Sequence, residues 1–254
     1  MPCAGHWGLS VMHGLDRLKD GVLLSAKFAF PPNSFGYCGK NSFFHAMKRK
    51  DCRLLKTELK HFRAHYAYLK LIASENGCFP FDRRAVNAFW IGNKLLENIS
   101  QKALKHFIAK ELFAGKNSQR AGKLANNLPK GTLPHHSFHV LYVNFLSNKV
   151  RRNTANYNKC CITSGKILSC GEKTVLVERF SICRKGGRLA LGRRKENIVL
   201  ERAGVRLVGK IKKGDLLAIH WGMAVKKISA REAAELKGCT QRNIGAINGM
   251  RAIF

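Results

Sequence analysis

A chain of 254 residues, 45% hydrophobic and 9% aromatic, can bury a substantial core in one large or two modest domains, which excludes a disordered polymer. Its formal charge of +31 points either to an acidic partner such as nucleic acid or to a dispersed solubilising surface. No apolar run approaches the roughly 20 residues a membrane span needs, and the first residues lack a charged segment leading into an apolar core, so a cytoplasmic protein off the membrane is expected.

In chain order, residues 1–24 carry no strong periodicity and read as an N-terminal extension without fixed structure. Phe28–Gly39 holds two prolines and two glycines among four aromatic rings, and reads as an extended segment pinned to a core. Leu55, Leu59, Phe62, Tyr66, Leu69 and Ile72 recur at spacings of three and four, one face of an amphipathic helix that Asn76-Gly77 would stop. Asp82 caps a second predicted helix bearing Val86, Phe89, Trp90 and Leu96. Ser100 caps a third with Leu104, Phe107, Ile108 and Leu112 on its buried side, ending near Gly115. A weaker helix is expected over 118–128. Pro134 opens another, with Phe138, Leu141, Tyr142 and Phe145 as its stripe. The helical domain thus spans 25–148, and the basic stretch 149–156 reads as a linker.

After Tyr157 the pattern changes to period two. Short strands are expected at Ile162–Leu168, Thr174–Ser181, Ile198–Leu200, Val205–Ile211 and Leu216–Trp221, separated by glycine turns. Such a run predicts a small OB-like β-barrel. Ser229 and Glu232 have capping-box spacing and start a helix that Gly238 should end. The expected fold is α+β with two domains: helices, then a barrel with a C-terminal helix and tail over 157–254.

Two constellations carry candidate chemistry. The first is Lys159-Cys160-Cys161-Ile162-Thr163-Ser164-Gly165-Lys166 at the barrel entry. A thiolate is a metal ligand and nucleophile, and the flanking Lys159 and Lys166 favour it. Cys160 is therefore a candidate thiolate, His220 in a late strand its candidate neighbour, and Gly165 and Lys166 its supports; the alternative is that Cys160 and His220 are simply packed. The second is His135-His136-Ser137-Phe138-His139. On a helix His135 and His139 would share a face, and with a further ligand, Cys38 or Cys78, could form a second metal site; alternatively they cap the helix or form a docking surface. The nine cysteines include no C-x-x-C pair, which argues against a zinc ribbon. No H-E-x-x-H and no phosphate-binding G-x-x-x-x-G-K-[ST] occurs, and no thiol enzyme is indicated beyond a Cys–His pair.

The C-terminal half resembles the HypC/HupF family of [NiFe]-hydrogenase maturation chaperones. Cys160 to Lys166 matches the family's C-x-x-x-P-G-K motif in spacing. Gly214-Asp215-Leu216-Leu217-Ala218-Ile219-His220-Trp221-Gly222-Met223-Ala224-Val225-Lys226-Lys227-Ile228 matches its G-D-x-V-L-V-H-x-G-F-A-I-x-K-I segment, and Ser229–Leu236 its helix start. The resemblance covers about residues 159–237. It implies an OB-like barrel and an accessory, non-enzymatic role in metal-centre assembly. It also implies a transient iron–cyanide–carbonyl cargo on Cys160, and a hydrogenase large-subunit precursor or a maturation protein as partner. The chain departs from the family where Ser164 replaces the motif proline and where the cysteine is internal. The charge supports another reading, a basic OB-like nucleic-acid-binding protein.

Overall fold

The computed structural model describes residues 6–113, 118–144 and 153–250, and of residues 6–15, 17 and 118 the backbone alone. The chain is α+β: helices come first, then a five-stranded sheet and a C-terminal helix.

The first helix, α1, runs His6–Ser34 and is the spine of the helical half. Val22, Ala26, Phe28, Ala29 and Phe30 are buried along it. Gly21 lets it come against the loop before the Arg83–Trp90 helix, since a Cβ there would lie 1.8 Å from the Phe81 carbonyl oxygen. Asn41–Arg49, Cys52–Lys60 and Arg83–Trp90 pack against α1, Arg63–Ser74 packs on Cys52–Lys60 and Arg83–Trp90, and Gln101–Lys110 packs on Ser118–Asn126. Several begin at side-chain caps that satisfy free helix N–H groups. Asp51 accepts from Arg53 and Leu54, Asp82 from Arg84, and Ser100 from Ala103.

The strands are β1 (Thr163–Cys170), β2 (Thr174–Lys185), β3 (Arg188–Val199), the short pair β4 (Glu201–Arg202) and β5 (Val205–Arg206), β6 (Leu216–His220) and β7 (Met223–Ile228). The main sheet runs β1-β2-β3-β7-β6, and β6 pairs back onto β1. Between β3 and β7 the only ladder pair is Val199–Met223, which is parallel. The sheet is therefore mixed and strongly curled, with a thin seam at that edge.

Period two sorts the strand residues onto two faces. Ile167, Val175, Val177, Ile198, Leu217, Ile219 and Ala224 fill the concave interior. Phe180, Ile182, Ala218, Met223, Val225 and Ile228 face the other way and join the core of the helical half. One hydrophobic core thus crosses the expected domain junction. The C-terminal helix, Ala230–Asn248, starts at the complete capping box of Ser229 and Glu232. It packs on the sheet and on the short His136–Phe138 turn through Leu236, Asn243, Ile244 and Ile247.

Several local expectations change. The stretch read as an extension is helical from His6, with Val22 and Leu24 buried, while residues 1–5 lie outside the described residues. Phe28–Ser34, read as extended, is the end of the same helix with Pro31 and Pro32 inside it. Near a helix end, proline deletes N–H groups whose acceptors can find other donors, as shown below for Phe28. The helix expected from Leu55 to Ile72 breaks into two at His61-Phe62. Pro134 precedes its helix instead of opening it; His135 is the cap, and the chain continues from His136–Phe138 into a π-helix at His139–Val143. The first half of the expected linker, 149–152, lies outside the described residues, and its second half begins a helix, Thr154–Cys160, capped by Asn153. Where the sequence pattern shows no strand between Ser181 and Ile198, β3 forms the second arm of a long hairpin, paired with β2 along its whole length. Gly238 does not end the last helix; its buried stripe at spacings of three and four outweighs the roughly 1 kcal/mol a helical glycine costs.

Candidate functional site

The two cysteines differ sharply in setting. Cys160 is the last residue of the Thr154–Cys160 helix, and Cys161 is its cap. Cys161 is fully buried in the main core, whereas Cys160 is only partly buried. Burial first, and then the neighbouring Cys38, push the Cys160 thiol up to about 12, against a smaller downward pull from Lys159. A helix C-terminus also disfavours an anion. The expected standing thiolate is therefore replaced by a neutral thiol, which would lose its proton only to a strongly bound electrophile or metal.

Gly165 and Lys166 do not form a turn around the cysteine. Both lie within β1, between β2 and β6. Gly165 is glycine because a Cβ there would meet the Arg179 Cβ and the Ile219 Cδ1 at 3.0 Å. Lys166 is exposed, beside Arg193 and Lys237 along an open cleft. Below it, the buried Arg179 guanidinium donates to Glu196 Oε2 at 2.6 Å and to Thr163 Oγ1 at 3.0 Å, closing the mouth of the sheet interior.

His220 ends β6 on the face turned to the helices, and it meets Cys160. Its Nδ1 lies 2.7 Å from the Phe28 carbonyl oxygen and its Nε2 3.0 Å from the Cys160 carbonyl oxygen. The Phe28 carbonyl owes its availability to sequence. Pro32, four residues on, has no N–H to offer it, so the usual helix bond cannot form. Burial lowers the His220 pKa to about 4, although both carbonyls pull it upward. The ring is thus neutral near pH 7, with one N–H for two carbonyls. The tautomer decides which carbonyl receives that proton, and in either case the ring bridges the backbone of Phe28 to the backbone of Cys160.

The histidine run lies beside this pair. His136 packs against His220 with ring centroids 5.3 Å apart, and against Trp90 at 4.7 Å. His65 joins from Arg63–Ser74, 5.0 Å from Trp90, and its Nε2 lies 3.2 Å from Ser25 Oγ. Burial takes His65 and His135 down to about 3, and His136 well below its ordinary value. His135 and His139 do not share a ligating face. His135 Nδ1 accepts from the Ser137 N–H as a cap, and His139 sits edge-on to Tyr68. Among the described residues, His65 Nδ1, His136 Nδ1 and Trp90 Nε1 are buried without a hydrogen-bond partner. Also among the described residues, no group of three or more His, Cys, Asp or Glu side chains is arranged to hold a metal ion. Cys38 lies on the Trp221 side of the site, since its neighbour Tyr37 packs on the Trp221 ring.

Sequence reasoning missed Phe28, Pro32, His65, Trp90 and a surface group at the edge of the site. That group is Phe35 and Tyr37, exposed by 43% and 67%, packed on Trp221. The two prolines could have located the first of these, had they been read as freeing carbonyls.

The comparisons with known proteins carry no activity. One family model matches, over residues 17–253, and it describes a family of unknown function, DUF6390. No curated protein matches the chain. No solved structure matches it.

Proposed function

This chain belongs to the DUF6390 family, and we propose that it is an accessory protein in assembly of a [NiFe]-hydrogenase-type metal centre, holding an iron fragment on Cys160. The observation that carries the reading is His220. Its Nδ1 lies 2.7 Å from the Phe28 carbonyl oxygen and its Nε2 3.0 Å from the Cys160 carbonyl oxygen, so one ring ties the helical half to the backbone that carries Cys160. Both residues fall at the positions that the HypC/HupF resemblance singles out. The raised thiol pKa suits a cargo site better than a catalytic one. A neutral thiol stays unreactive until a soft metal displaces its proton, and binding then depends on pH. The cargo is an iron–cyanide–carbonyl unit, and the partners are a hydrogenase large-subunit precursor or a maturation protein. The helical half clamps His220 from the opposite side of the sheet and is part of the site, not an appendage.

The test is protein purified from its native host and examined by infrared spectroscopy. Cyanide and carbonyl bands that disappear in Cys160→Ala support the reading. Intact hydrogenase activation in a Cys160→Ala strain would sink it.

A second reading, binding of a nucleic acid, is favoured by one feature. The β2–β3 hairpin exposes Arg184, Lys185, Arg188, Arg193, Arg194 and Lys195 on one ribbon. Its signature would be an affinity for RNA or DNA whose logarithm falls steeply with the logarithm of salt concentration.

A further inference from the structure

We propose that Cys38 is the second thiol of this site, so that a soft, thiophilic cation is held between Cys38 of the helical half and Cys160 at the entry to the sheet. This rests on the Cys160 reading above and adds a ligand from outside the segment that resembles a known family.

Two sets of contacts bring the cysteines together. Tyr37, adjoining Cys38, lays its ring against Trp221 at a centroid distance of 4.4 Å. The Trp221 backbone N–H donates to the carbonyl of Lys159, adjoining Cys160, at 3.1 Å. A single residue therefore ties the immediate neighbours of both cysteines. The turn bearing Cys38 is also fixed from behind, because the buried Asn33 amide donates to the Cys38 carbonyl at 2.7 Å and to that of Lys40 at 3.1 Å.

The contact is built at a cost. Trp221 has a φ of 52°, a left-handed conformation that costs an L-residue about 1–2 kcal/mol. Phe35 and Tyr37 hold its ring in place, and the Arg202 guanidinium stacks 3.4 Å from the Phe35 centroid while its Nε donates to Ser34 Oγ at 2.9 Å. Strain of this kind persists where the surroundings over-determine it, and here it positions the mouth of the site. Cys38 is exposed and Cys160 partly buried, so a cation entering from solvent meets Cys38 first.

The chemistry is ligand exchange without redox change. Two S–H bonds break, two sulfur–metal bonds form, and two protons leave to solvent. Soft cations accept such low-coordinate thiolate pairs. Affinity then rises with pH.

Phenylarsine oxide tests the pairing, because it closes on two thiols within reach of each other: the arsenic–oxygen group takes both thiol protons as water and forms two arsenic–sulfur bonds. The intact protein should retain one equivalent by mass spectrometry after challenge with excess monothiol. Cys38→Ser and Cys160→Ser should each lose it, while Cys170→Ser, an exposed cysteine elsewhere, should keep it. Circular dichroism checks that each variant is folded. Retention by Cys38→Ser overturns the proposal. On the native cargo, carbonyl and cyanide bands lost in Cys160→Ser but unchanged in Cys38→Ser overturn this inference and leave the proposed function standing; bands unchanged in both overturn the two together.

Discussion

The interior of the curled sheet and the seam between sheet and helices are both buried, yet they are built from opposite materials. The interior is aliphatic: Ile167, Val175, Val177, Ile198, Leu217 and Ile219 pack on one another, with Arg179 satisfied at its mouth. The seam is aromatic and imidazole: Trp90, His65, His136 and His220 crowd together, and three of their ring nitrogens lack partners among the described residues. Unsatisfied buried polar atoms each cost on the order of 1–3 kcal/mol, so a seam optimised for stability alone would not keep them. The contrast teaches that the sheet interior holds the fold, while the seam carries the candidate site.

Substitutions should break the contrast in order of size. Leu217→Ala in the sheet interior should cost about 2–5 kcal/mol in urea denaturation, whereas His136→Leu in the seam should change stability by less than about 1.5 kcal/mol. Equal losses at the two positions would erase the distinction. Glu196→Gln leaves the buried Arg179 charge without its carboxylate and should cost about 3 kcal/mol in the same assay.

Acid sharpens the contrast, and the sign follows from the direction of the shifts. His65, His135 and His220 are held neutral in the fold at about 3, 3 and 4, while the unfolded chain titrates near the ordinary value of 6.5. Between these limits the unfolded state binds more protons, so stability is full above pH 6.5 and is lost as pH falls toward 4. Each histidine contributes a slope of up to about 1.4 kcal/mol per pH unit. Urea midpoints between pH 7 and pH 5 measure the decline. His220→Asn, which cannot be protonated in this range, should flatten it, and an unchanged slope would remove His220 from the titrating set.

The legible parts of the chain are those fixed by local chemistry. Asp82, Ser100 and Ser229 declare their helix starts, because a capping side chain acts within three residues of itself. The strand at Leu216–His220 is likewise legible from its apolar run. Illegible were the features settled by distant partners. Pro31 and Pro32 forbid a free helix, but the core that buries Phe28 and Phe30 carries α1 through them. The meeting of Tyr37, Trp221 and Lys159 joins residues far apart in sequence and leaves no local pattern. The neutrality of Cys160 depends on burial by both halves, which outweighs the lysine beside it.

A smaller effect probes the link between α1 and the site. Pro32→Ala restores an N–H that can compete for the Phe28 carbonyl and loosen the hold on His220 Nδ1. Stability should move by less than about 1 kcal/mol, while iron retained per chain should fall several-fold; unchanged retention would detach Pro32 from the site.

Nitrogen NMR of the His220 imidazole near pH 7 tests most directly whether the seam holds this ring buried between two carbonyls. The contacts to Phe28 and Cys160, with burial lowering its pKa to about 4, predict a neutral ring whose single N–H is hydrogen-bonded. A ring protonated at both nitrogens at pH 7 would contradict it.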